Sequence, residues 1–81
     1  MLTGNQIREA RALLGWSRDN LSRSALIKLD VIEQAEERDG SALLTYGQEI
    51  SIRRVCGQAG VEFVDRPPIA RLREVQPDPA I

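Results

Sequence analysis

The sequence contains no histidine and a single cysteine, Cys56. One cysteine cannot close a disulfide within the chain, and a structural zinc site needs several Cys or His ligands. Neither staple is expected. Aromatic residues are nearly absent, with one Trp, one Tyr and one Phe. Without His, acid–base chemistry would fall to carboxylates, and these are spread along polar stretches that read as solvated surface. The glycines are scattered as well, which leaves no Gly-rich phosphate loop. The chain is expected to be no enzyme and to use no cofactor. No apolar run approaches the ~18 residues of a transmembrane helix, so no membrane partner is expected. The first residues lack the basic-then-apolar order of a signal peptide, and the free thiol suits a reducing compartment. A cytoplasmic location is the expectation.

A basic surplus is missing too: 11 Lys and Arg stand against 12 Asp and Glu, a net charge of −1. Through residue 36 the balance is even, Arg8, Arg11, Arg18, Arg23 and Lys28 against Glu9, Asp19, Asp30, Glu33 and Glu36. Any basic face must come from segregation in space, because composition supplies none. An 81-residue chain makes one domain. At this size folding buries only about 60% of the unfolded surface, and with disulfide and metal excluded a partner subunit is the remaining support.

What is present is mostly helical punctuation. Thr3 followed three residues later by Gln6 forms a capping box. Ile7, Ala10 and Leu14, with Leu13 beside them, then make one apolar stripe. Gly15 supplies a left-handed stop, and Trp16 is expected to fold back onto the stripe. Ser17 is a good N-cap for a second helix whose buried edge is Leu21 and Ala25. Ile27, Val31, Ile32 and Ala35 are the inward positions of a third. Nothing between Ser17 and Arg38 forbids one continuous helix through Gly or Pro, so that rival stays open. The polar run Glu36 to Ser41 reads as a surface loop. Tyr46 to Ala59 reads as a further helix that carries Ile50, Ile52, Val55 and Cys56, the last expected to be a small buried apolar residue, with Gly60 as its C′ residue; Gly47 and Gly57 weaken it by up to ~1 kcal/mol each. Val61 to Asp65 alternates as a strand, Arg66-Pro67-Pro68 interrupts it, and Ile69 to Arg73 alternates again. The expected division is 1–60 helical, 61–75 a strand segment and 76–81 a disordered tail.

The string Ile7 to Glu37, IREARALLGWSRDNLSRSALIKLDVIEQAEE, together with Ala59-Gly60-Val61-Glu62-Phe63 and Arg71-Leu72-Arg73, resembles the Xre/Cro/lambda-repressor-like helix-turn-helix family. The likeness covers about residues 2–73. Its opening "AR-LLGWS" and closing "AGVEF" and "R-L-R" phrases are specific, and its middle is not. The resemblance implies an all-α bundle of four or five helices with a helix-turn-helix, followed by one or two short strands. It implies a first motif helix over Ser17 to Ser24, a turn at Ala25-Leu26-Ile27 and a recognition helix over Lys28 to Ala35. It also implies a structural ion pair between Arg11 and Glu36.

The departures are concentrated at the reading helix. The turn position usually held by Gly is Leu26, and the usual Ser or Thr cap is Lys28. Where relatives carry Gln, Arg, Ser or Asn toward base edges, this chain has Lys28, Leu29, Asp30, Glu33 and Gln34. Two functions follow. In one, the chain is a DNA-binding regulator of the repressor kind, acting on double-stranded operator DNA as a homodimer. Lys28, Leu29, Asp30 and Gln34 would then contact bases, and Ser17, Arg18, Lys28, Arg38 and Ser41 phosphates. In the other, the same motif binds a regulatory protein, as an antitoxin or antiactivator does, with little DNA binding. The alternating strands suggest Val61, Phe63, Ile69 and Leu72 as dimer contacts.

Overall fold

A computed structural model describes residues 1–73. The tail over 76–81 and the last two positions of the 61–75 segment lie outside the described residues. The described chain is mainly helical: α1 (Gly4–Leu14), α2 (Arg18–Ala25), α3 (Leu29–Glu36) and α4 (Tyr46–Gln58) precede an antiparallel hairpin of β1 (Val61–Asp65) and β2 (Pro68–Leu72). The break between α2 and α3 excludes the continuous helix from Ser17 to Arg38.

Each helix start is chemically specified except one. Thr3 Oγ1 accepts from the Gln6 amide at 3.0 Å and Gln6 Oε1 from the Thr3 amide at 2.9 Å, the expected capping box. Thr45 and Gln48 repeat it at the head of α4, at 3.1 and 3.0 Å. Ser17 Oγ caps α2 through the Asn20 amide at 3.0 Å. Lys28, at the head of α3, offers no side-chain cap.

α1 ends as its sequence dictates. Gly15 is left-handed at φ 69°, with its N–H on the Ala12 carbonyl and that of Trp16 on the Arg11 carbonyl. α2 ends the same way without a glycine: Leu26 sits at φ 57°, ψ 44°. A left-handed Leu costs about 1–2 kcal/mol. Ser22 holds the bend from both sides, its carbonyl accepting the Ile27 N–H at 3.0 Å and its hydroxyl donating to the Ile27 carbonyl. Ile27 thereby enters the core at 7% exposure, while the Leu26 side chain stands in solvent at 87%.

The core runs through Ile7, Leu21, Ile32, Ile52, Cys56 and Val61, with Trp16 packed against it as expected. Ile50 is not part of it and is exposed, because α4 turns Ser51 and Ile52 toward α2 and the core. Burial pushes the Cys56 thiol up to about 11, so it behaves as a small apolar residue.

Two contacts unite the ends of the chain. Gly4 lies so close to the C-terminus of α3 that a Cβ there would overlap the carbonyl oxygens of Ala35 and Arg38. Buried Gln6, besides its capping role, donates through Nε2 to the carbonyls of Val64 at 2.8 Å and Ile69 at 3.2 Å, which seats the hairpin on α1. In that hairpin Val61 pairs with Leu72 and Phe63 with Ala70, and Val61 and Ala70 face the core.

Glu49 ties the residues before α1 to α4 by accepting from the Leu2 amide at 2.8 Å. Burial alone would raise its carboxyl, but the Leu2 amide and the Arg53 guanidinium outweigh that and lower it below the ordinary carboxylate value. A lowered folded value means stability that is present above about pH 4.3, the ordinary value, and is lost as pH falls through the folded one. Urea unfolding between neutral and acid pH should show the wild type losing stability below about pH 4.3, and Glu49→Gln losing less over the same window. Parallel curves would remove Glu49 from the acid response. In the same assay Leu26→Gly should gain about 1 kcal/mol by relieving the left-handed strain; a loss would mean that the exposed side chain holds the fold.

Candidate nucleic-acid interface

α3 is held by its last residue. The Glu36 side chain is fully buried and receives Arg11 in a fork, Nε on Oε2 at 2.7 Å and Nη2 on Oε1 at 2.6 Å. Arg11 also donates from Nη1 to the Trp16 carbonyl at 3.1 Å, so the pair joins α1, the α1–α2 link and α3. Hydrogen bonding to Glu36 raises the Arg11 pKa against the opposing effect of burial. Arg8 donates to the Glu36 backbone carbonyl and to Asp39 Oδ1 at 2.6 Å, satisfying the helix end. Glu36, read both as the start of a surface loop and as the partner of Arg11, is the buried last residue of the helix; the loop begins after it.

Arg18, expected on a phosphate, points inward to Glu36 Oε1, 3.2 Å from its Nε. Its side chain is still 48% exposed, so it is a structural partner with one side open to solvent. Ser41, the other displaced phosphate candidate, is half-buried and bridged to Thr3, with its hydroxyl accepting from the Leu43 amide at 3.4 Å. Its place in this N-terminal pairing carries no sequence signal of its own. Ser17, Lys28 and Arg38 are exposed.

The four expected base-contact residues do come together. Ile32, Ala35 and Glu36 face inward, which leaves Lys28, Leu29, Asp30 and Gln34 on the outer side of α3 and its cap, joined by Glu33 and Glu37. Most acids elsewhere sit beside a cation, half-buried Glu9 excepted. Asp19, Asp39, Glu49, Glu62 and Asp65 each pair with an arginine. Asp30, Glu33 and Glu37 have no cation within ion-pair distance among the described residues. Lys28 and Arg38, equally without an acidic partner there, bracket them at the two ends of the helix.

The expected dimer contacts separate. Val61 is fully buried in the chain's own core and cannot meet a second copy on the folded surface. Phe63 is half-buried under Arg53, whose guanidinium carbon lies 5.9 Å from the ring centroid. Ile69 is half-buried, and Leu72 is 56% exposed. The register places Val61, Phe63 and Leu72 on one face of the hairpin and Ile69, opposite Val64, on the other, so the four cannot form one contact face.

No family model, curated protein or solved structure matches the chain.

Breaking one side of a buried pair costs about 3–5 kcal/mol, whereas a half-exposed pair contributes about 0–1. Equilibrium unfolding should therefore find Glu36→Gln and Arg11→Met strongly destabilised and Arg18→Met changed little. Equal losses for Arg11 and Arg18 would refute the division of roles.

Proposed function

We propose that α2, the Leu26–Lys28 turn and α3 form a helix-turn-helix of the Xre/Cro type, and that the chain is a DNA-binding transcriptional regulator acting as a homodimer. The observation that supports this most is the rigid mounting of α3. Ile27 and Ile32 anchor one side, and the Arg11–Glu36 pair locks its end, so a fixed outer face projects from the domain. A helix held in this way can be laid in the major groove without reorganising. On that face Gln34 would pair with an adenine, Leu29 would meet a thymine methyl and Asp30 would accept from a cytosine amino group. Lys28, Arg38 and the exposed head of α2 at Ser17 would hold phosphates, with Arg18 contributing through its open side.

One observation favours a second reading, a helix-turn-helix that binds a regulatory protein. Asp30, Glu33 and Glu37 lack cations where DNA would bring phosphates, and each like charge adjacent to the backbone opposes binding.

Gel shifts and footprints on the DNA upstream of the chain's own gene distinguish the two. A regulator should protect two half-sites about 34 Å apart, one helical turn. Its affinity should fall with salt, and Lys28→Ala or Arg38→Ala should each lower the log–log slope by about 0.9. Gln34→Ala should leave the slope unchanged and cost about 1–3 kcal/mol at one base pair. A salt-insensitive or absent shift, untouched by all three substitutions, would leave the protein-binding reading in its place.

A further inference from the structure

Beside the outer face of α3 runs a groove of about 440 Å³. Val31 and Ala35 of α3 and Ala42 and Leu44 of the following segment floor it: the two alanines are buried, the other two half-buried against the core. Gln34, Glu37, Arg38 and Leu43 form its exposed rim. Leu43 is left-handed at φ 54°, a conformation a leucine rarely adopts, and it holds its side chain 68% exposed at the groove edge. The turn at Leu43 lets Ala42 and Leu44 on either side of it pack on the core, and it leaves the Leu43 side chain without cover.

The charge beside the groove says what would cover it. Asp30, Gln34 and Glu37 follow one another at i, i+4 and i+7, so they form a ridge along one side, with Glu33 next to it. Asp30, Glu33 and Glu37 are the exposed carboxylates without cations among the described residues; Glu9 on α1 lacks one too but is half-buried, and the other surface acids are mostly neutralised by arginine. An occupant that fits both features has apolar side chains for Val31, Leu43 and Leu44, and lysine or arginine at helical spacing for Asp30, Glu33 and Glu37. We infer that this groove docks a basic amphipathic helical segment of another protein. Its apolar face lies between α3 and the Ala42–Leu44 segment, and its cations lie on the acidic ridge. Asp30 and Gln34 belong to this surface and to the base-contact face alike, so a docked segment and DNA exclude one another. The inference rests on the groove and the ridge, not on the DNA reading, and stands if no operator is found.

The test uses the isotope-labelled full chain and three synthetic probes: a leucine–lysine amphipathic helix, a scrambled peptide of the same composition, and a leucine–glutamate amphipathic helix. The leucine–lysine helix should shift the backbone amides of Val31, Gln34, Ala35 and Ala42 to Leu44, and bind at least about tenfold more tightly than either control. Replacing the ridge by Asp30→Asn, Glu33→Gln and Glu37→Gln together should weaken it about tenfold and flatten its salt dependence. Leu43→Gly, which relieves the backbone and cannot unfold the chain through strain, should weaken binding with the salt dependence intact. Shifts centred elsewhere, equal binding of the scrambled peptide, or indifference to the ridge substitutions would overturn the proposal. So would groove amides that move with protein concentration alone, since a second copy would then be the occupant.

Discussion

The buried carboxylate of Glu36 is the point on which the remaining geometry depends. Its charge is out of water, and that is stable because Arg11 matches it bidentately, with half-exposed Arg18 adding a weaker contact. Remove the fork and an uncompensated charge remains in the core, at the junction of α1, α2 and α3. The Glu36 backbone carbonyl is used as well, by Arg8, and one turn away Gly4 admits the carbonyls of Ala35 and Arg38 to near contact. Three arginines and one glycine thus converge on the last turn of an eight-residue helix. A helix so short has little stability of its own and owes its position to these contacts.

That position is what gives the outer face meaning. With no side-chain cap at Lys28 and an acidic outer side, α3 is locally a poor design for a freestanding helix. Its weak start is compensated at the other end, and its exposed residues are free to answer to a partner. Strain falls in the same region: the two left-handed leucines, Leu26 and Leu43, lie in the segments that lead into and out of α3. Both display apolar side chains, and neither is needed to fill the core.

The parts of the fold that were legible in the sequence are those in which local chemistry and periodicity agree. Thr3 and Gln6, Gly15, Ser17 and the alternation after Gly60 each announce a boundary through a short-range mechanism, and the elements lie where those signals put them to within a residue or two. Thr45 and Gln48 carry the same capping spacing as Thr3 and Gln6, and so were equally legible, though the spacing is easily passed over after the polar loop. Long-range roles were not legible. Nothing near Gln6 in sequence says that its amide clamps a hairpin some sixty residues away. Likewise nothing near Ser22 in sequence says that its hydroxyl and carbonyl will both hold Ile27 across the turn. Of the candidate site, the outer residues of α3 were correctly placed together, because helical spacing decides which side faces out. The recruitment of Arg18 by Glu36 and of Ser41 by Thr3 was not legible, because exposure in a chain of arginines and serines does not reveal which of them a buried carboxylate or the N-terminal residues will engage.

The most direct test of the account is to titrate the isotope-labelled chain with a duplex of its own upstream sequence and map the backbone amides that move. If the mounting of α3 serves to present its outer face to DNA, the shifts concentrate on Lys28 to Gln34 and on the head of α2 at Ser17, with the hairpin unmoved. Shifts centred on the hairpin, or none at a duplex concentration that saturates non-specific binding, would contradict it.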